Sequence, residues 1–328
     1  MSEAHTRITR ESLVTGLRNI GLHAGDNVVV HSSLSRLGRV EGGTDTVIDA
    51  LEEVVTPDGT LLMPTFSSRT IYFLEALALH RGINGSGTGK GEVFVGTVRE
   101  LYEAVRPFSE QVEPGWRFPF ASPMDFWNLI APERHAKYGW TIIAYSDQVT
   151  EETSIRLFRD APPRSADDTV PWRMPVWTGA IPARLAERPE GRRSHQYSGS
   201  FTAWGRLTEH VIGDHTNRPG QRLHEHPLHR MCKANGRILL LGVDHRSNST
   251  IHIAQQVALE ERKLKLLEGG TEYVGSFQHV DKPLEFIGGQ IRGRIGNATV
   301  RLADTKTLYR IVDGILDERI STGLAVAS

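Results

Sequence analysis

His252 has the setting of a general base. It lies in the segment RILLLGVDHRSNSTIHIAQQ (237–256), where an apolar run with the character of a buried strand gives way to a polar loop and then to a helical stretch. Asn248 or Ser249 can cap that helix, which places His252 in its first turn. The positive end of the helix dipole disfavours imidazolium there, and a neutral imidazole is what proton abstraction at pH 7 requires. The position also follows the carboxyl end of a strand, where open α/β sheets gather their ligands. A second group of reactive side chains is HEHPLH (224–229), which brings His224, His226 and His229 close in sequence. Zinc would need a further ligand and a fixed geometry, and Pro227 breaks any helix that would align the three rings. The expectation is no metal, with a metal-dependent hydrolase built on these histidines as the competing class.

Three glycine-rich signals fail on inspection. In GINGSGTGKG (82–91) a phosphate loop would need glycine where Asn84 stands and Ser or Thr where Gly91 stands. RGRIGNA (292–298) does not fit the acyl-CoA signature of the GNAT superfamily, and no G-x-G-x-x-G follows a strand.

The elements that must carry His252 alternate along the chain. Thr9 or Ser12 can cap a helix with Leu13, Leu17 and Ile20 on one side, stopped at Gly21. A strand over 27–31 follows, then a helix from Thr44 with Val47, Ile48, Leu51 and Val54 on one face, then a strand over 60–65. This order predicts a layered α/β/α fold around a mostly parallel central sheet. The core is expected in residues 1–67 and 171–328, with strands at 237–243 and 271–277 and helices at 249–268 and 305–320. Residues 68–170 have a different character and are expected to form an inserted subdomain or lid, helical over 93–105 and 124–131 with a strand at 141–146.

The whole chain bounds the function. It has 328 residues, 39% hydrophobic and 23% charged, with a net charge of -1. This gives no general attraction to nucleic acid or to anionic membrane. The single cysteine, Cys232, excludes an internal disulfide and a Cys-rich zinc site, which fits a reducing cytoplasm. The polar start MSEAHTRITRESL and the lack of any long apolar run lead us to expect a cytoplasmic protein without membrane segments.

Several segments together carry a family resemblance: VVHSSLSRLG (29–38), VEGG (40–43), DGTLLMPTFS (58–67), GAIP (179–182), RS (193–194) with SFTAWG (200–205), ILLLGVDHRSNSTIHIA (238–254) and GRIGNATVRL (293–302). In this order they resemble the aminoglycoside 3-N-acetyltransferase family, antibiotic N-acetyltransferases whose fold is not that of GNAT enzymes. The resemblance implies an N-acetyltransferase with acetyl-CoA as cosubstrate and an amino group of an aminoglycoside as acceptor, transferred directly in a ternary complex. It implies His252 as catalytic base, Asp281 or, one turn on, Glu285 as the carboxylate that orients it, and Thr65 beside the thioester. The CoA side falls on His31, Ser32, Ser33, Leu34, Arg36, Val40, Thr65, Ser67 and Phe201. The acceptor side falls on Asp244, Arg246, Asn248 and Gln255. The partners implied are a small-molecule amine and acyl-CoA, acting on a monomer or homodimer.

The chain departs from the family at the acceptor side. The usual G-H-D-S-N reads Asp244-His245-Arg246-Ser247-Asn248, Gln255 stands for a glutamate, and R-S-x-H-P reads Arg193-Ser194-His195-Gln196-Tyr197. Aminoglycosides are polycations, and exchanging carboxylates for Arg246 works against binding them. Glu75, Glu92, Glu100, Glu110 and Glu113 of the insertion are read as solubilising charges. A biosynthetic amino sugar or amino-acid-like amine is therefore the alternative acceptor.

Overall fold

The computed structural model describes residues 7–66, 69–82, 91–108, 120–130, 140–160, 178–194, 196, 199–215, 222–266, 277–323 and 326–327. Its first half begins with α1 (Arg10–Asn19), β1 (Asn27–Ser32), α2 (Leu34–Leu37), α3 (Gly43–Val55) and β2 (Thr60–Pro64). Thr9 and Ser12 are not alternatives at the start of α1: each side chain bonds the other's backbone N–H in a reciprocal capping box. The chain then runs through α4 (Arg69–His80), β3 (Gly91–Thr97), α5 (Val98–Val105), α6 (Pro123–Ile130), β4 (Trp140–Ala144) and β5 (Ser154–Arg159). It continues with α7 (Ala180–Glu187), β6 (Arg192–Arg193), β7 (Phe201–Gly205), α8 (Thr208–Ile212), α9 (Pro227–Lys233) and β8 (Arg237–Leu241). The last elements are α10 (Thr250–Glu261), β9 (Lys265–Leu266), α11 (Asp281–Phe286), β10 (Gln290–Ile295), β11 (Ala298–Asp304), α12 (Thr305–Ser321) and β12 (Val326–Ala327).

Seven strands form the central sheet in the order β10-β11-β8-β1-β2-β7-β6. β1 pairs in parallel with β2 and β8, as the helix–strand alternation implies. The flanking pairs β11–β8, β10–β11, β2–β7 and β6–β7 are antiparallel, so the sheet is mixed. The strands bury both faces, and residue parity decides which. Val28, Val30, Leu61, Met63, Leu239 and Leu241 join α1, α3 and α7 in one apolar cluster. Val29 and Leu62, with Ile238 and Leu240, face the other way, toward α8, α9, α10 and α12. This is the three-layer arrangement that two-sided apolar strands require.

Residues 73–157 supply a separate apolar cluster, built on the antiparallel sheet β3-β5-β4 and on α4, α5 and α6. The helix expected over 93–105 is a strand to Thr97 and a helix only from Val98. The register of β3 shifts between Glu92 and Phe94, and this bulge turns the consecutive Val93 and Phe94 both inward. The inserted residue breaks the alternation by which a strand is read. β5 has no counterpart in the sequence expectations. Its inward positions include a buried arginine, Arg159, paired at 2.9 Å with the buried Glu75. Glu75 is therefore no solubilising charge.

The helix expected to reach 268 ends at Glu261. Lys263 takes a left-handed φ of 56°, the Lys263 N–H donates to Glu260 O, and the Leu264 N–H donates to Leu259 O. This is a Schellman stop without its usual glycine, which is why the sequence hides it. The strand expected over 271–277 falls almost wholly outside the described residues.

Candidate active site

β8 ends at Leu241, and the chain crosses the loop 242–249 into α10, so His252 occupies the first turn of that helix. Its ring opens into a cleft of about 560 Å³. The floor is the carboxyl end of β1, with Val30, His31 and Ser32. Pro64 and Phe66 after β2, Thr178 and Pro182 at the start of α7, Phe201, His226 and Leu228 form the walls, and Arg246, Ser247, Ser249 and Ile253 complete the rim. The cleft thus joins the ends of two of the three parallel strands, β1 and β2, to the N-terminal turn of α10, the place where a doubly covered sheet admits ligands.

The imidazoles here are held neutral. Burial lowers the pKa of His252, and the N-terminus of α10 acts in the same direction. Burial and the neighbouring His245 lower His31 to about 3. Burial, His215 and His229 lower His226 to about 3. Two buried polar atoms of the floor, His31 Nε2 and Ser32 Oγ, have no partner among the described residues. Buried polar groups are normally satisfied, so these atoms fit a polar ligand at the end of β1.

The loop before α10 is set by a chain of hydrogen bonds with one consistent proton arrangement. The His245 Nε2–H donates to Gln290 Oε1 at 2.7 Å, and Gln290 Nε2 donates to Asp281 Oδ1 at 2.7 Å. On the other side Asn248 Nδ2 donates to His245 Nδ1 at 3.1 Å, and the Thr250 N–H donates to Asn248 Oδ1 at 3.1 Å. The chain therefore runs from a carboxylate to the first backbone N–H of α10. Burial pushes the Asp281 carboxyl up, but the Gln290 bond, Arg301 and His245 outweigh it and hold the carboxyl below its ordinary range. His245 is fully buried, and burial lowers its pKa against the opposing effects of Gln290 and Asp281.

This corrects the expected pairing. The contacts of Asp281 are with Gln290, Arg292, Arg301 and, at 3.7 Å, the His245 ring, and none is with His252. Glu285 lies farther out, 3.4 Å from Gln290 Nε2. Asp281 thus reaches His252 only through the start of the helix that carries it. His245→Ala would leave Gln290 Oε1 and Asn248 Nδ2 buried without partners. At about 1–3 kcal/mol for each unsatisfied group, the urea midpoint should fall clearly. An unchanged midpoint would show that the chain does not hold α10.

Thr65 is also displaced from its expected role. It is fully buried, its hydroxyl lies 3.2 Å from Thr202 Oγ1 and 3.5 Å from Ser200 Oγ, and it does not line the cleft. It shares the parity of Met63, which faces away from α10. Of the remaining expected residues, His31, Ser32, Phe201 and Arg246 line the cleft. Ser33, Leu34, Arg36 and Val40 do not: Ser33 bonds Leu241 O and Ser35, Leu34 and Val40 pack on the core, and Arg36 is exposed. Asp244 caps the turn after it and pairs with Arg246 at 2.7 Å, Asn248 belongs to the hydrogen-bond chain, and Gln255 is buried. Ser67 lies outside the described residues.

The HEHPLH histidines do not converge. Among the described residues no three His, Cys, Asp or Glu side chains are grouped to hold a metal ion. Pro227 is not a breaker here. It occupies the first position of α9, where a missing N–H costs nothing, and His226 caps the helix by accepting the Leu228 N–H at Nδ1, 3.2 Å. His226, Phe66, Thr178 and Pro182 are cleft residues that the sequence reading missed. The proline one residue after His226 was the available signal.

The family model for aminoglycoside 3-N-acetyltransferases matches residues 29–74 and 170–317, more than half of the chain. The chain is 26% identical over 247 residues to the SPbeta prophage-derived aminoglycoside N(3')-acetyltransferase-like protein YokD of Bacillus subtilis, covering 75% of this chain and 64% of that protein. It is 26% identical over 250 residues to aminoglycoside N(3)-acetyltransferase VIII of Streptomyces fradiae, covering 76% of this chain and 60% of that one. The match thus spans less than two thirds of either relative's length. Its fold is similar to that of AAC-IIIb in binary complex with CoASH, with a TM-score of 0.58 at 20% identity over 96% of this chain and 98% of that chain. The match in two segments, over β1, β2, β8 and α10, places the chain in the aminoglycoside 3-N-acetyltransferase family.

Proposed function

We propose that the protein transfers the acetyl group of acetyl-CoA directly to an amine, with His252 as the base. The observation that carries this reading is the neutral His252 imidazole opening, in the first turn of α10, into the cleft at the end of β1 and β2. The relatives' names point the same way: the solved AAC-IIIb binds CoASH, and the Streptomyces protein is an aminoglycoside N(3)-acetyltransferase. His31 Nε2 and Ser32 Oγ fit the polar part of a CoA thioester at the floor. His252 takes the proton as the amine nitrogen attacks the carbonyl carbon. The C–S bond then breaks, and the protonated imidazole returns the proton to the departing thiolate. No covalent acyl-enzyme is needed, because an amine attacks a thioester readily.

The acceptor favoured by family membership is the 3-amino group of an aminoglycoside. A second acceptor class is an amine that also carries a carboxylate: Arg246 lies at the cleft rim, with its guanidinium paired to Asp244. Arg246 favours such an amine where the substrate carboxylate takes the place of Asp244 on the guanidinium. The segment after Pro64 and Phe66 leaves the cleft wall for the separate cluster of residues 73–157. We assign that unit to the acceptor side as a cover. Thiol release from acetyl-CoA should be measured across aminoglycosides, amino sugars and amino acids. Release with an aminoglycoside supports the family acceptor, and release only with an anionic amine supports the second. No release with any amine would overturn acyl transfer.

A further inference from the structure

We propose that His226 is a further catalytic residue of this reaction, a fixed Nε2–H donor to the carbonyl oxygen of the acyl thioester. The inference rests on the acyl-transfer reading above. It starts from the tautomer. The Leu228 N–H donates to His226 Nδ1 at 3.2 Å, so Nδ1 is an acceptor and the ring proton resides on Nε2. Nε2 has no partner among the described residues, and the ring lines the cleft. His226 is thus a donor whose direction is set by a helix cap rather than by the ligand.

The ring is also held in place. It meets Phe201 edge-on with centroids 5.4 Å apart, and His215 edge-on at 5.5 Å. His215 is itself fixed through Nδ1 to Ser194 Oγ at 2.9 Å. Phe66 packs edge-on against Phe201 at 5.3 Å, and Leu228 and Ile253 close the apolar wall. A donor preorganised among apolar groups stabilises growing negative charge far better than a freely rotating hydroxyl such as Ser247 or Ser249. It would repel an ammonium, which has no acceptor atom to offer. Burial, His215 and His229 keep the ring uncharged through the working pH range, so it donates a hydrogen bond without giving up its proton.

The chemistry balances without a new reactant. The amine nitrogen bonds the carbonyl carbon, and the carbonyl π pair moves to oxygen, where the Nε2–H bond shortens. The pair returns as the C–S bond breaks. The proton follows the His252 path throughout. The Thr65 hydroxyl, which the family resemblance places beside the thioester, is buried against Thr202 and Ser200 and does not reach the cleft. His226 takes that place.

Two substitutions separate the donor from the cap. In His226→Asn the side-chain oxygen sits near the Nδ1 position and still caps α9, but the distal donor is gone. In His226→Gln an amide N–H reaches the Nε2 position while the cap is weakened. Wild-type thiol release with acetyl-CoA is measured first, so that failure of acyl transfer itself is seen separately. Given wild-type activity, kcat of H226N should fall about 10²-fold with the KM for acetyl-CoA little changed. H226Q should recover most of it despite a lower melting temperature. Wild-type kcat in H226N, a loss confined to the acceptor KM, or equal kcat losses in both variants would each overturn the assignment.

Discussion

His252→Ala should lower turnover by roughly 10²–10⁴-fold, the usual scale for a positioned general base, while CoA binds as before. The ring is partly buried at the rim, and its removal leaves the floor at His31 and Ser32 intact. The loss should therefore appear in kcat and not in a CoA titration. The pH profile gives an independent check. Only the neutral imidazole accepts a proton, and its pKa is lowered by burial. The acid limb of kcat should lie below the ordinary histidine value near 6.5 and should vanish in the alanine variant. Equal turnover of H252A and wild type would leave a CoA-binding fold without His252 chemistry. Loss of CoA binding in parallel would mark the residue as structural.

Acidification should unfold the protein earlier than its carboxylates alone would. Burial, then Arg230, lowers His215 to about 4, and burial, then His245, lowers His31 to about 3. Both are nearly fully buried. In each the folded pKa lies below the unfolded one, so the unfolded chain binds more protons in the interval between them. The stability they contribute is complete above about pH 6.5 and is lost as pH falls toward 4 and 3. At pH 5 this amounts to roughly 2 kcal/mol for each ring, a large part of a typical folding free energy of about 5–15 kcal/mol. Asp281 and Asp45, whose carboxyls are held below their usual range, act only at lower pH. Urea midpoints at pH 7 and pH 5 test this, with His215→Asn expected to show a shallower dependence. A midpoint that does not move between the two values would refute it.

Much of the fold was legible because it is local. Parity within VVVH and TLLMP fixes which side chains face which helix layer, and the strand–loop–helix run around His252 lies within twenty residues. The hydrogen-bond chain behind that histidine was not legible. It joins His245 to Gln290 and Asp281, residues 45 and 9 positions apart, and glutamine at a strand start carries no motif. The resemblance implied that Asp281 orients His252, whereas the Asp281 carboxylate meets Gln290 and His245 and is linked only to the start of the helix that carries His252. His226 was read through Pro227 as a broken helix, because a proline that starts a helix and one that interrupts it look alike in sequence. β3 and the end of α10 were missed for a related reason: a bulge and a non-glycine left-handed cap remove the periodicity and the punctuation on which reading depends.

The Thr178 hydroxyl donates to Pro64 O at 2.6 Å. Pro64 is where the chain leaves the central sheet, and Thr178 is where it returns to start α7. Exit and re-entry therefore touch, and the core itself closes the long excursion between them. For such a loop the entropic cost rises only with the logarithm of its length, about 0.6 kcal/mol for each doubling. A change in the length of the excursion therefore costs the register of the central strands little. The fold thus separates the sheet that frames the cleft from an excursion that leaves and rejoins it at a single contact.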